Sequence, residues 1–205
     1  MPPKPRFTRK EMVDAGLELV RQKGAEALTA RELADVLGCS ARPIFTAFEN
    51  MDELRGEVKK AAKELISNYA NEAMEYDPPF KKAGMQIILF ASREPNLFKM
   101  IFMSSFDKPT SFDDVFTSHT GNNKFEVVIS KAYSLTAKQA RYLFEHMWIY
   151  TFGISVLCAL NQCNFSDAEL SNLLGVEFLA LLDYVRKNDV ERQLDLPERV
   201  MAKNA

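Results

Sequence analysis

Apolar residues return at three- and four-residue intervals along nearly the whole chain, the spacing of helices that bury one face. Met12, Ala15, Gly16, Leu19 and Val20 mark the first such face. Thr8 is placed to open this helix, with Glu11 completing a capping box, Phe7 stapled to Met12 and Gly24 as the stop. Leu33, Ala34 and Leu37 share a face of a second, shorter helix. Thr29 caps it, Glu32 completes the box, Leu28 and Leu33 form the staple, and Gly38 ends it, because glycine takes a left-handed backbone without strain. Ser40 is placed to cap a third helix, predicted to turn Ile44, Phe45 and Phe48 inward and Arg42, Thr46 and Ala47 outward. Two short helices across a tight glycine turn outline a helix-turn-helix.

Asn50 and Glu53 form a further box and start a long helix over 50–76. Its apolar face runs Leu54, Val58, Ala61, Ala62, Leu65, Tyr69 and Ala73, and Asp77-Pro78-Pro79 ends it. Helices follow over 80–92, with Met85, Ile88 and Leu89 inside, then over 96–103, 111–118 and 124–133. The breaks are Arg93-Glu94-Pro95, a turn over 104–110 and Gly121-Asn122-Asn123. Thr136 with Gln139, and Ser166 with Glu169, open two long helices over 136–160 and 166–187. The second carries a broad stripe of Leu170, Leu173, Leu174, Phe178, Leu181, Leu182 and Val185. No strand-like alternation appears. The expectation is an all-α protein in three parts: a three-helix head over 1–49, a larger helical domain over 50–190 and a charged tail over 191–205.

Composition sharpens this. Among 205 residues, 47% are hydrophobic, enough for a substantial core, yet no apolar run reaches the roughly 18 residues of a membrane span. The opening MPPKPRF has no apolar secretory region, and three cysteines make no disulfide framework, so a cytoplasmic protein is expected. The net charge of −2 is not that of a generally basic nucleic-acid binder. Its distribution matters more: Lys4, Arg6, Arg9 and Lys10 crowd one arm at the first helix, suited to phosphates. There is no Glu-x-x-His pair and no glycine-rich phosphate loop, and His119 and His146 are the two histidines. Cys158 and Cys163, five apart, do not share a helix face. No catalytic function, cofactor or metal is expected.

The head resembles the TetR family of bacterial transcriptional regulators. The matching residues are Ala27-Leu28-Thr29, Ala30-Arg31-Glu32-Leu33-Ala34, Leu37-Gly38-Cys39-Ser40, Ile44-Phe45, Phe48 and Leu54. Phe90 to Phe102 and Met147 to Gly153 resemble the C-terminal ligand domain of one branch with a Trp…His-Gly signature, Phe152 standing in the histidine's place. The resemblance implies a homodimer, joined through a four-helix bundle of the last two long helices. It also implies a DNA-reading head, a palindromic operator and a small apolar or amphipathic effector that releases it, with repression the usual outcome. The chain departs from the family at Phe45, Ala47 and Met51, where a tyrosine, a basic residue and a lysine commonly touch phosphates. Glu49, Asp52 and Glu53 add negative charge nearby. A helical interaction protein of the same fold, with weakened or lost DNA binding, is the competing reading.

Recognition helices put their N-terminal half into the major groove. Arg42 can pair bidentately with guanine, and Ala41, Pro43 and Thr46 can meet thymine methyls. Thr29 and Ser40 stand at helix starts that suit phosphates. Arg6, Arg9, Lys10 and Phe45 complete the expected DNA contacts. For the effector, the candidate liners are Phe90, Phe98, Phe102, Met103, Phe106, Phe116, Trp148 and Phe152, with His146, Tyr150, Ser155 and Asn122 as polar handles.

Overall fold

A computed structural model describes residues 7–72, 79–104, 111–120, 124–188 and 190, and among them the only regular elements are helices. The head is α1 (Arg9–Lys23), a 3₁₀ turn (Ala25–Ala27), α2 (Ala30–Leu37) and α3 (Arg42–Ala47). The body comprises α4 (Met51–Glu72), α5 (Pro79–Arg93), α6 (Pro95–Phe102), α7 (Phe112–Thr120), α8 (Lys124–Tyr133), α9 (Ala137–Ala159) and α10 (Asp167–Lys187). The expected turn over 104–110 beyond Ser104, the break at 121–123, the end of the connecting helix past Glu72 and the tail over 191–205 lie outside the described residues. So do Arg6, Phe106 and Asn122.

Local chemistry sets most boundaries. The capping boxes of Thr8 with Glu11, Thr136 with Gln139 and Ser166 with Glu169 all form. Gly24, at φ 87°, and Gly38, at φ 62°, supply the left-handed backbone that ends α1 and α2. After Gly38, the Cys39 N–H returns to the Ala34 carbonyl at 3.0 Å, closing the helix end. Pro95 starts α6, where a missing N–H costs nothing.

Three predicted caps are built differently. Thr29 accepts from the Glu32 N–H, but the Glu32 carboxylate turns to Lys23 at 2.7 Å, because the 3₁₀ turn brings α2 back beside the end of α1. The Thr29 N–H donates instead to the Ala27 carbonyl at 2.8 Å. Ser40 lies one residue too early to cap α3. Ala41 holds that place in a helical conformation, without a side-chain cap. Asn50 does receive the Glu53 N–H at 2.9 Å, while the Glu53 carboxylate takes the N–H of Glu49 at 2.6 Å rather than that of Asn50. The faces of α3 also need correcting. Ile44 and Phe48, four apart, are buried and anchor the helix. Phe45 is therefore rotated outward and is 52% exposed, while Ala47 packs against the core.

Two clusters form the interior. The first joins the head to α4, α5 and α6: Leu28, Leu33, Ile44 and Phe48 are continuous with Leu54, Val58, Leu97 and Phe98. The second lies among α5, α7, α8, α9 and α10 around Phe116, Ile129, Leu143 and Leu170. At Gly16 the α1–α4 crossing is so close that an added Cβ would stand 2.9 Å from Val58 Cγ2. Helix α9 packs on α5, α8, α10 and α6 and so ties the body together.

Candidate nucleic-acid interface and cavity

The head offers an outward face on α3. Arg42 and Phe45 are both exposed and three residues apart, so they project on the same side. Arg42 has no ion pair among the described residues. The Thr46 hydroxyl donates back to the Arg42 carbonyl at 3.0 Å, leaving its methyl as the distinctive contact group. Pro43 sits in the first turn, where its ring is compatible with the helix. Thr29 is occupied in capping α2, and Ser40 and Ala41 lie on the turn between the helices.

The basic arm is used in two ways. Lys10 pairs with Asp14 at 2.6 Å but is well exposed, so a phosphate can compete for it. Arg9 is engaged within the protein. Its guanidinium donates to the Ala47 carbonyl, pairs with Glu53 at 2.8 Å and lies 4.2 Å above the Phe48 ring. It thereby buckles the start of α1 to the end of α3 and the first turn of α4. The N–H of Glu49 and the Arg9 guanidinium hold the Glu53 carboxyl below its ordinary range. The expected repulsion of DNA by Glu53 is thus largely neutralised, while Glu49 and Asp52 remain exposed.

Between the two clusters lies an apolar cavity of about 380 Å³, reached from every helix of the body. Phe102, Trp148 and Phe152 line it as the sequence suggests. Phe90, Phe98 and Phe116 do not reach it, because each is fully buried in close packing. Phe90 meets Tyr69 at 5.6 Å, Phe98 meets Phe102 at 4.8 Å, and Phe116 lies 4.2 Å beneath the Arg141 guanidinium. Met103 is exposed at the end of α6. His146 is exposed and meets the Tyr142 ring at a tilt, with centroids 4.2 Å apart, Tyr150 packs against the second cluster, and Ser155 donates to the Thr151 carbonyl at 2.9 Å.

Phe80, Phe125, Phe144 and Phe178 supply the rest of the aromatic wall, and the polar residues in it are Ser67, Lys81, His119, Thr120, Tyr133 and Thr151. Sequence reasoning missed Lys81 and His119. Their signal was a polar residue on an apolar stripe: His119 continues Phe112 and Phe116, and Lys81 continues to Gly84 and Ile88. The His119 ring meets Phe102 edge-on at 5.0 Å and Trp148 at 5.7 Å, and its Nδ1 is buried without a hydrogen bond. Burial, then Lys63 and Lys59, lower its pKa to about 4, so the imidazole is neutral at neutral pH.

Nothing among the described residues is arranged to bind a metal ion. Burial pushes the Cys158 thiol up, away from the reactive thiolate.

Helix α6 spans the distance between cavity and head. Phe102, at its end, lines the cavity. At its start, Glu94 receives Arg21 Nε at 2.8 Å and Asn96 donates to the Arg21 carbonyl at 3.0 Å, gripping the last turn of α1. A helix-turn-helix head carried on a helical body defines a DNA-binding transcriptional regulator. Residues 12–58, the head and the first turns of α4, match the family described as bacterial regulatory proteins, tetR family. No curated protein matches the chain.

Proposed function

We propose that this regulator is a repressor, binding a palindromic operator as a homodimer and released when a small apolar or amphipathic effector enters the cavity. The observation that carries this reading is α6, which lines the cavity at one end and grips α1 at the other. An effector that favours one placement of α6 shifts DNA affinity by its differential affinity for the two placements. Residues 1–49 serve as the DNA-binding head and 50–190 as the effector and dimerisation domain, followed by the tail over 191–205. The homodimer is supported by apolar faces left open on the two last helices: Ile149 and Leu157 on α9 with Leu160 just past its end, and Val176 and Leu179 on α10, the last 65% exposed. Pairing these faces in two copies gives a four-helix bundle and sets the recognition helices one duplex turn apart, about 34–36 Å. Arg42 reads a base edge, Phe45 and Thr46 make apolar contacts in the groove, and Lys10 meets the backbone. A cytoplasmic location follows from this function. Among the described residues no helix is long and apolar enough to cross a membrane.

The test is a gel shift on DNA flanking the chain's own gene, across salt concentrations and with added amphiphiles. The expected result is sequence preference, affinity that falls steeply with salt and release by the amphiphile. The competing interaction protein is favoured by the internal use of Arg9 and by Phe45, which has no hydroxyl to offer a phosphate. Absence of binding even at low salt would establish that reading in place of the regulator.

A further inference from the structure

We propose that the cavity takes an apolar carboxylate, with Lys81 as its counter-ion. The proposal rests on the cavity being an effector site and names the chemistry of what fills it.

Among the described residues of the wall Lys81 is the one charged side chain and there is no carboxylate. Among the described residues no ion pair or hydrogen bond reaches its ammonium group. The group lies over Gly175 of α10, where an added Cβ would stand 3.5 Å from Nζ, so the glycine leaves room beside it. A cation held against aromatic and aliphatic walls without a partner is unfavourable, and a carboxylate supplies what is missing.

The α4 side is positive as well. Lys59 and Lys63 lie near enough to His119 to act on its charge, neither has an acidic partner among the described residues, and Lys59 donates to Ser104 Oγ at 2.6 Å. With one cation and no acid among the described residues of its wall, the cavity disfavours an amine and favours an anion. His119 adds hydrogen-bonding capacity without adding charge. The space is equivalent to about a dozen waters at about 30 Å³ each, which fits a medium-chain acid or a compact aryl acid.

Trp148 lines the cavity and is the only tryptophan of the chain, so its fluorescence reports occupancy. The full chain is titrated with decanoate, decanol and decylamine, and with naphthoate by calorimetry. Decanoate is expected to bind at least about 10-fold more tightly than decanol, as one charge-assisted hydrogen bond allows, with decylamine weakest. Whether decanoate or naphthoate binds more tightly tells an alkyl from an aryl body, and either supports the carboxylate. Lys81→Met should bring decanoate down to the level of decanol while leaving decanol within about threefold, which also shows that the variant folds. Lys81→Arg should retain the preference. Equal binding of decanoate and decanol, or a preference that survives Lys81→Met, overturns the carboxylate and leaves the effector site standing. No response to any probe by either method overturns both.

Discussion

In the head, Leu28, Leu33, Ile44 and Phe48 meet with no space between them, each at most 2% exposed. Between the clusters of the body, Phe80, Phe102, Phe152 and Phe178 instead stand around an opening. Both regions are made of ordinary apolar side chains at helical spacing. They differ in where unsatisfied chemistry is left. The head is closed inside and leaves Arg42 and Phe45 unpartnered on its outer surface. The body leaves Lys81 and His119 unpartnered on an inner one. A DNA-reading surface must hold its geometry against a rigid duplex, which a filled core provides. A cavity must admit a ligand, and gains its final packing from it.

The largest expected effect comes from truncating one ring in each region. Phe48→Ala should cost about 3–5 kcal/mol, because a fully packed site leaves a void that its neighbours cannot fill. Phe178→Ala should cost about 1–2 kcal/mol, since Phe178 already faces space on one side and forfeits fewer contacts. Urea unfolding with unchanged slope measures both. Equal losses would mean that the cavity wall is packed like the head.

Helix limits were legible because they depend on neighbours in sequence. Thr8, Gly24, Gly38, Thr136 and Ser166 act through hydrogen bonds or dihedral angles within a few residues. The Glu32 carboxylate leaves its box for Lys23, a partner that only the folded chain brings near, and that of Glu53 is shared between the nearby Glu49 N–H and the distant Arg9. Phe45 was assigned inward on apolarity alone, yet a six-residue helix anchored at Ile44 and Phe48 has no second face to bury. At the cavity, a Phe that lines it and a Phe that packs behind it look identical in sequence. Phe98 and Phe102 share one face of α6 with ring centroids 4.8 Å apart, and only Phe102, a turn further along, reaches the cavity, a property of tertiary packing.

The outer surface of the head is tested next. Arg42→Ala should weaken operator binding by about 1–3 kcal/mol and relax preference at one base pair. It should leave thermal stability nearly unchanged, since Arg42 is exposed and has no ion pair among the described residues. Fluorescence anisotropy on a set of single-base operator variants separates these outcomes. A uniform loss across all variants would make Arg42 a phosphate contact instead.

Arg9 sharpens the distinction between holding the surface and being the surface. Arg9→Ala removes the hydrogen bond to the Ala47 carbonyl, the Glu53 pair and the contact with Phe48. The pair is partly exposed and screened, so a stability loss of about 1 kcal/mol is expected. The salt dependence of DNA binding should barely change. Lys10→Ala should do the reverse, lowering the salt slope by about one with little effect on folding. If Arg9→Ala lowers the slope equally, its guanidinium leaves the buckle when DNA binds.

The smallest effect belongs to the inner surface. His119 is neutral in the folded chain because burial and the nearby Lys63 and Lys59 lower its pKa from 6.5 to about 4. The unfolded chain takes up that proton as the pH falls through 6.5, and the folded chain does not until about 4. His119 therefore costs no stability above pH 6.5, and stability declines as the pH falls below that value. Between pH 7 and 6 the decline should stay under about 1 kcal/mol. The carboxylates of Glu11, Glu18, Glu32, Glu53 and Glu169 are held below their ordinary range, so their contributions are lost only at lower pH. His119→Gln should remove the slope in this window. Urea midpoints of the two chains at pH 7 and 6 decide it. If the slope persists without His119, its ring does not stand against the unfilled wall that sets the cavity apart from the head.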